Sequence, residues 1–536
     1  MLRLHNLTTS MGLKLKPRKC RSLSVRAGRS EEVAFSLGEA EIASILHDKY
    51  HKFLGGFYTY DFSTASVAGI IKERMEDQLK NIDSLLVRNE YKVRIYTEYF
   101  LGSYRFLFSV HDLGKGQIKE LNDLTHSYLK DWLGLPQGAS WALVHDYHGL
   151  NVKSIYHLYT ESRALSLSNM RFFGDQRVRH ALDSKEEREG GWSRKFSPAT
   201  HVKGLIAEVV PPLPIETIST EDQDPDVSLG SDVDEIPASP PVVPPGTLSR
   251  KLLKGKIQSG VQGRVNDFWR EKVGNYIMQG DYLALIMEEG NCVTWRSFIW
   301  DIPQGVLKFA INAGINTLPS ADNLKRWGKR VSDRCGFCGN VQTLAHILSI
   351  CSVALDQGRF TWRHDSVLGT IVSFINLRLR PGYSLFSDLP GFQSPNGGSI
   401  PPHILVTSLR PDIFLVNEET REVIVFELTC PFERNIDRNH AFKEGKYAPL
   451  VADLSRSFKV FHFSVEIAAR GLITKENKAR LKSFALRCSD VGSSGLKAFL
   501  SCCSKASLLS SFSIFHARNE PAWSSPPPLI VRTELL

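Results

Sequence analysis

The sequence RPDIFLVNEETREVIVFELTCP, residues 410–431, contains two runs of β-branched and aromatic residues on either side of a polar segment. Runs with this composition predict two strands, Ile413–Val416 and Glu422–Leu428, joined by a tight turn at 417–421. Because the runs are adjacent in the chain, they predict an antiparallel hairpin at the centre of a folded domain.

The hairpin brings two acidic residues together. If its turn is centred between Glu419 and Thr420, Asp412 lies opposite Glu427, with Cβ atoms about 5 Å apart on one face. Two carboxylates at this distance repel each other unless a cation lies between them, and magnesium prefers a partly hydrated site of oxygen ligands. The hairpin therefore predicts a magnesium site.

The next segment, NIDRNHAFKEGKYAP at 435–449, predicts a helix that ends at Pro449. On such a helix, His440, Lys443 and Tyr447 share one face. A lysine beside metal-bound water can position a hydroxide and stabilise negative charge on phosphorus. Together with a basic zinc motif upstream, the acidic pair and this helix face favour a metal-dependent nuclease over an ordinary solvated surface.

Upstream, the stretch RCGFCGNVQTLAHILSIC at 334–351 contains three cysteines and one histidine at the spacing Cys-x2-Cys-x7-His-x4-Cys. We name the four residues the zinc cluster: Cys335, Cys338, His346 and Cys351. Four nitrogen and sulfur ligands with no open position are typical of a structural zinc. The last two ligands are about 140° apart on a regular helix, so a helix that begins near Thr343 must loosen before Cys351. The alternatives are a buried cysteine pair with an unrelated histidine, and a redox Cys-x-x-Cys, which the absence of a preceding thioredoxin-like strand disfavours.

Four cationic residues precede the zinc cluster and are interleaved with Trp327, which predicts a small phosphate-binding surface. We name them the basic segment: Lys325, Arg326, Lys329 and Arg330. The whole chain has a net charge of +9, although the segment 205–249 holds nine acidic residues, nine prolines and no Lys or Arg. The remainder is therefore more basic than the average, which suits a polyanionic partner, with a solvated surface as the alternative.

Length and composition predict several domains, because a chain of 536 residues with 42% hydrophobic content is longer than a single hydrophobic core normally accommodates. The segment 205–249 predicts an extended linker, and 116–136 predicts an amphipathic helix that ends at Gly134 and Pro136. Nine cysteines without a regular framework fit a reducing compartment. No signal peptide or long uncharged apolar run is present, so neither secretion nor a membrane span is expected.

The order of these motifs resembles the C-terminal half of non-LTR retrotransposon polyproteins that carry a restriction-like endonuclease. In that family a Cys-Cys-His-Cys motif precedes an Arg-His-Asp stretch and a Pro-Asp, Asp/Glu, Lys core. The Arg-His-Asp counterpart is WRHDSVL at 362–368, and the resemblance implies that Arg363 and His364 contact nucleic acid.

The resemblance also implies a role for each residue of the nuclease core. Asp412 and Glu427 would bind the catalytic magnesium, Lys443 would support the attacking water, and Tyr447 would line the site. Thr429 occupies the position at which the commoner restriction enzymes have their lysine, so the lysine has moved to the helix. Lys446 remains a competing candidate for its role.

The first part of the chain is similar to a reverse transcriptase beyond its catalytic site. Segments 12–24 and 51–55 look like strands that close the palm, and 110–113 and 131–136 look like parts of the thumb. No Tyr-x-Asp-Asp motif occurs, so polymerisation by this chain alone is not expected. Met1 is expected to be an internal start of a longer element or the first residue of a fragment.

The predicted fold class is a multidomain α+β protein. Its predicted parts are a palm remnant (1–60), a helical thumb-like region (61–204), a disordered linker (205–249), a basic helical region (250–330), a zinc motif (331–355), an α/β restriction-endonuclease-like domain (356–475) and a loosely ordered tail (476–536). The leading hypothesis is a nuclear, magnesium-dependent DNA endonuclease with a structural zinc. It would nick target DNA so that the 3′ hydroxyl primes reverse transcription, with element RNA and a full-length reverse transcriptase as further partners and no membrane. The alternatives are a non-catalytic nucleic-acid-binding remnant and, with least support, a host protein tethered through its linker.

Overall fold

The computed structural model describes most of the chain outside its middle. The described residues are 7–182, 249–289, 298 and 300–532, with short gaps at 8, 13–15, 28, 38–39, 48–49, 62 and 174. The predicted linker, 205–249, lies outside the described residues except for Ser249. The chain divides into two compact units, namely Met1–Val87 with Lys92–Leu129 and Lys153–Asp267, and Arg88–Tyr91 with Lys130–Val152 and Phe268–Leu536.

Up to residue 274 the described residues form three short antiparallel hairpins followed by helices. The strands are β1 Ser24–Arg26, β2 Arg29–Glu31, β3 Phe35–Leu37, β4 Ala40–Ile42, β5 His51–Phe53 and β6 Gly56–Tyr58. The helices are α1 Thr64–Asp83, α2 Asn89–Ile95, α3 Leu101–Val110, α4 Lys115–Leu133, α5 Ala142–His145, α6 Ile155–Phe173 and α7 Arg250–Gly274. Helix α4 is the amphipathic helix that the sequence predicts, and Ile118, Leu121, Leu129 and Trp132 on its apolar face are buried.

The rest of the chain combines helices with a mixed sheet. Its helices are α8 Gly280–Glu289, α9 Gln304–Gly314, α10 Ala321–Arg326, α11 Ser352–Asp356, α12 Arg359–Asn376, α13 Ile436–Leu454, α14 Lys475–Cys488 and α15 Ser493–His516. Its strands are β7 Ser384–Ser387, β8 Ile413–Asn417, β9 Glu422–Thr429 and β10 Lys459–Glu466. The architecture is thus mixed α+β, as predicted.

The sheet has the order β10-β9-β8-β7. Strands β8 and β9 are antiparallel, and their register runs from Ile413 opposite Phe426 to Asn417 opposite Glu422, which confirms the predicted register. Strand β10 is parallel to β9, and a parallel pair requires a crossover connection, which α13 supplies.

The two faces of the sheet pack against different helices. Ile413 and Phe426 belong to a core with residues of α12, α14 and α15. Phe414 and Val425 belong to a second core with residues of α13. Because side chains alternate along a strand, Asp412 and Glu427 lie on the face that α13 covers.

Helix α13 continues past Pro449, so the prediction that the helix ends at this proline is wrong. Leu450 and Leu454 follow this proline and are buried in the core beneath the helix. Proline lacks the N–H that would bond one turn back, and burial of two leucines offsets that loss. Tertiary packing therefore overrides the local stop signal.

The predicted loosely ordered tail is also corrected, because 475–516 forms α14 and α15. By length and composition the helical stretch Ser493–Asn519 could cross a membrane, but 72% of its most apolar window is buried inside the protein, as in a core helix. The extended segment that follows α15 forms hydrogen bonds with α12. The indole N–H of Trp362 donates to the carbonyl of Pro527, and the backbone N–H of Leu529 donates to the hydroxyl of Ser366.

Candidate metal centres

The zinc cluster brings its four ligand atoms within 4.8 Å of one another. Cys338 Sγ lies 3.3 Å from His346 Nε2 and 3.9 Å from Cys351 Sγ. Tetrahedral zinc with bonds of about 2.3 Å to sulfur needs sulfur atoms about 3.8 Å apart. The donor set and its spacing therefore fit a structural zinc.

Local backbone geometry explains how a short stretch reaches this arrangement. The N–H of Gly339 donates to the carbonyl of Cys335 at 3.0 Å, and Gly339 has a φ of +74°, which favours glycine. After His346 the helix widens into a π-type turn, His346–Ile350, and the N–H of Cys351 donates to the carbonyl of His346 at 3.0 Å. This wide turn is the loosening predicted between the last two ligands.

Hydrogen bonds favour the thiolate form of one cysteine in the zinc cluster. Burial opposes ionisation of Cys335, yet backbone hydrogen bonds from Cys338 and Phe337 lower the pKa of its thiol. Burial raises the pKa of Cys351 to about 11. Zinc binds thiolates, so the metal must displace the proton of Cys351, and its affinity is expected to fall at low pH.

All four residues of the basic segment are exposed, and Trp327 beside them is 42% exposed. Lys325 Nζ lies 3.0 Å from Asp333, and Arg326 pairs with Asp322. The segment therefore offers cations to a partner, although two of them already have acidic neighbours.

Arg363 does not contact solvent as a nucleic-acid ligand would. Its side chain is 1% exposed, and the guanidinium donates to the carbonyls of Leu348 at 2.8 Å and Cys430 at 2.7 Å. The same group donates to Ser511 Oγ at 3.2 Å. The prediction of a direct nucleic-acid contact is therefore wrong for Arg363, which links the zinc turn, the end of β9 and α15.

The hairpin places the two predicted acids against a lysine of α13. Glu427 is fully buried and Asp412 is 8% exposed. Lys443 Nζ lies 2.6 Å from Glu427 Oε2 and 3.9 Å from Asp412 Oδ2. The backbone N–H of Asp412 donates to Glu427 Oε1 at 3.2 Å, and that of Leu428 donates to Asp412 Oδ2 at 2.7 Å. These oxygens form a compact anionic site with one ammonium in it.

Helix α12 adds a histidine to this acidic site. His364 Nε2 lies 3.3 Å from Asp412 Oδ2, and its Nδ1 lies 3.0 Å from Asp365 Oδ1. The resemblance described above implies that His364 contacts nucleic acid, but it does not place His364 beside Asp412. Only the packing of α12 against the sheet makes this contact, so no spacing in the sequence predicts it.

The remaining predicted residues of the site differ in exposure. Tyr447 is 1% exposed, and its hydroxyl donates to the carbonyl of Arg410 at 2.8 Å. Lys446 is exposed, with its ammonium 4.9 Å from the ring centre of Tyr447. The ion pairs with Asp412 and Glu427 thus involve Lys443. Lys443, unlike Lys446, lies on the side of α13 that faces these carboxylates.

The charges in the site are strongly coupled. Burial and the nearby Asp412 raise the pKa of Glu427 to about 7, against the effect of Lys443. Burial acts in the same direction on Asp412, but the charges of His364 and Lys443 keep the pKa of that carboxyl below its ordinary value. Burial alone would lower the pKa of Lys443, but Asp412 and Glu427 raise it. A bound divalent cation would relieve this repulsion and favour both carboxylates in their ionised form.

A third acid, which was not predicted from the sequence, lies on the same face of the sheet. Glu466 ends β10, is 1% exposed, and its Oε1 lies 3.3 Å from His440 Nδ1. Its negative charge also raises the pKa of Lys443. An acid at the end of the strand after α13 is the signal that could have identified it.

Comparison with known families identifies the zinc-binding region. A family model for the zinc-binding domain in reverse transcriptase matches residues 276–357, which include the basic segment and the zinc cluster. No curated protein matches the chain. The match and the Cys3His arrangement together support zinc binding and a reverse-transcriptase-like, retroelement-like origin.

Proposed function

We propose that this chain is a retroelement-derived, magnesium-dependent DNA endonuclease that nicks target DNA for target-primed reverse transcription. The observation that carries the proposal is the buried pair of Asp412 and Glu427 with Lys443 Nζ 2.6 Å from Glu427. The chain has no Tyr-x-Asp-Asp motif and is not proposed to polymerise nucleic acid on its own. Its proposed partners are target DNA, element RNA and a full-length reverse transcriptase, and its proposed location is the nucleus.

The proposed mechanism gives each residue of the site a separate task. Asp412 and Glu427 would hold magnesium, and the chemistry that it would supply there is that of a Lewis acid. The Lys443 ammonium would orient the attacking water and stabilise negative charge on the phosphoryl oxygens. Attack would form a bond from the water oxygen to phosphorus and break the bond from phosphorus to the 3′ oxygen. The attacking water would lose a proton to solvent and the 3′ oxygen would take one from solvent, leaving a 3′ hydroxyl and a 5′ phosphate. Tyr447 would line the site, held in place by the hydrogen bond from its hydroxyl to the backbone carbonyl of Arg410.

The zinc-binding region would hold DNA near this site. Zinc would fix the turn between Cys335 and Cys351, and the basic segment would contact phosphates without reading sequence. Because counterion release drives such contacts, binding would weaken as salt increases.

The test is nicking of supercoiled plasmid by the purified chain with magnesium. Asp412→Ala and Glu427→Ala should each abolish nicking while DNA binding, measured by fluorescence anisotropy, stays largely intact. Lys443→Ala should come close to the same loss, whereas Lys446→Ala, a matched change one turn along α13, should retain most of the activity. If the effects of the two lysine variants were reversed, the catalytic lysine would be Lys446.

A second function, binding of nucleic acid without catalysis, is favoured by one observation. The family match covers the zinc cluster and the basic segment but ends before the carboxylate site. Salt-sensitive DNA binding without nicking, or nicking that survives both acidic substitutions, would favour this binding function and reject the nuclease site.

A further inference from the structure

The part of α13 that carries Lys443 has no apolar anchor. The buried residues of this helix are Ile436, Tyr447, Leu450 and Leu454, and no side chain within 437–446 is buried. Gly445 and Pro449 also weaken the helix from within. Apolar packing therefore holds α13 at Ile436 and at Tyr447, on either side of Lys443, but not in the turn that carries Lys443.

Polar contacts with the sheet hold this part of the helix instead. Lys443 reaches Glu427 on β9, and His440, one turn before it, reaches Glu466 on β10 at 3.3 Å. The strands are parallel neighbours in which Glu427 pairs with Ser464, so Glu466 lies two residues further along β10. These two contacts on adjacent strands come from residues three apart on one helix face and orient α13 at Lys443. A third contact, from the partly exposed Glu444 to His462 at 3.5 Å, is weaker.

Glu466 is also held in place by a residue of α14. Its backbone N–H donates to Asn477 Oδ1 at 3.1 Å, and Asn477 is buried in the first turn of α14. Glu466 Oε2 is buried without a hydrogen-bond partner among the described residues, and Arg480 NH1 lies 3.8 Å from it. A buried carboxylate with an unsatisfied oxygen costs stability, so its presence at this position calls for a reason other than packing.

We propose that Glu466 and His440 are positioning residues that hold α13 in the rotation at which Lys443 meets the Asp412–Glu427 site. This inference rests on the proposed nuclease function for its catalytic consequence, but the positioning itself does not. Without the contact, the 437–446 part of the helix would turn or fray, and the ammonium of Lys443 would leave Glu427.

The first test measures single-turnover nicking of Glu466→Gln and His440→Gln in the full chain. Each variant should nick about tenfold or more slowly, with unchanged DNA affinity and an unchanged magnesium concentration for half-maximal rate, because Asp412 and Glu427 stay in place. His462→Gln is the matched control, since His462 Nδ1 lies 3.5 Å from Glu444 Oε2 and also joins β10 to α13. It should nick at the wild-type rate. A higher magnesium requirement in Glu466→Gln would make Glu466 a metal ligand and overturn the positioning role, as would an unchanged rate.

The second test does not depend on activity. Acylation of lysines by an N-hydroxysuccinimide ester, followed by mass spectrometry, reports how accessible Lys443 is, and its side chain is 17% exposed. Lys443 should react several-fold faster in Glu466→Gln and His440→Gln than in the wild type and His462→Gln, while exposed Lys446 reacts equally in all four. Unchanged labelling of Lys443 would overturn the inference. If the wild type does not nick DNA, the nuclease proposal fails and the labelling result alone decides the positioning role.

Discussion

At Glu427 the stability of the metal-free protein and the function of the site are expected to conflict. Burial and Asp412 raise the pKa of Glu427 from its ordinary value of 4.5 to about 7, against the effect of Lys443. An acid whose pKa is higher in the folded than in the unfolded protein stabilises the folded state while the acid is protonated. For Glu427 this stabilisation is complete below pH 4.5 and is lost as pH rises through 7. The difference corresponds to about 3 kcal/mol at alkaline pH.

Glu427→Gln removes this charge with little change of shape. Without magnesium at about pH 8.5, the variant should be more stable than the wild type by up to about 3 kcal/mol, because Gln does not repel Asp412. For the compact unit of about 300 residues that contains Glu427, the melting temperature should rise by roughly 5 °C. Below about pH 4.5 the two proteins should melt together, since Glu427 is then protonated in both the folded and the unfolded wild type.

Thermal unfolding followed by tryptophan fluorescence measures the effect, in buffer without added magnesium and without a chelator that would remove zinc. Magnesium should stabilise the wild type at alkaline pH and leave Glu427→Gln unchanged, because only the wild type has both carboxylates. Glu419→Gln, an exposed residue of the β8–β9 turn, is the control and should change neither curve. A variant that is less stable than the wild type at alkaline pH, or equally stabilised at both pH values, would refute this reasoning.

Two further predictions concern the zinc-binding region. Metal analysis should find one zinc per chain, lost on combining Cys338→Ser with His346→Ala; a zinc content unaffected by this change would reject the assignment. Neutralising the basic segment should reduce the slope of log binding constant against log salt by about 0.9 for each phosphate that the variant no longer neutralises. An unchanged slope in DNA titrations would assign these four residues to an ordinary solvated surface.

Local sequence patterns were sufficient for two parts of this protein. The zinc cluster lies within 334–351, so a tight turn and one loosened helix bring its ligands together without help from the rest of the chain. The register of β8 and β9 depends on a short turn, which is why Asp412 and Glu427 could be paired from their numbers alone. The rotation of α13 at Lys443 agrees with the helical period.

Only the tertiary structure decided the surroundings of these sites. His364 on α12 reaches Asp412 beside β8, and Glu466 on β10 reaches His440 on the preceding helix, and no local periodicity encodes such long-range pairs. Arg363 is buried because the zinc turn, β9 and α15 supply its acceptors, although in the sequence it looks like a phosphate ligand. Pro449 lies inside a helix for a related reason. Contacts between residues close in sequence follow from backbone geometry, whereas burial and long-range pairing depend on which surfaces the whole chain packs together.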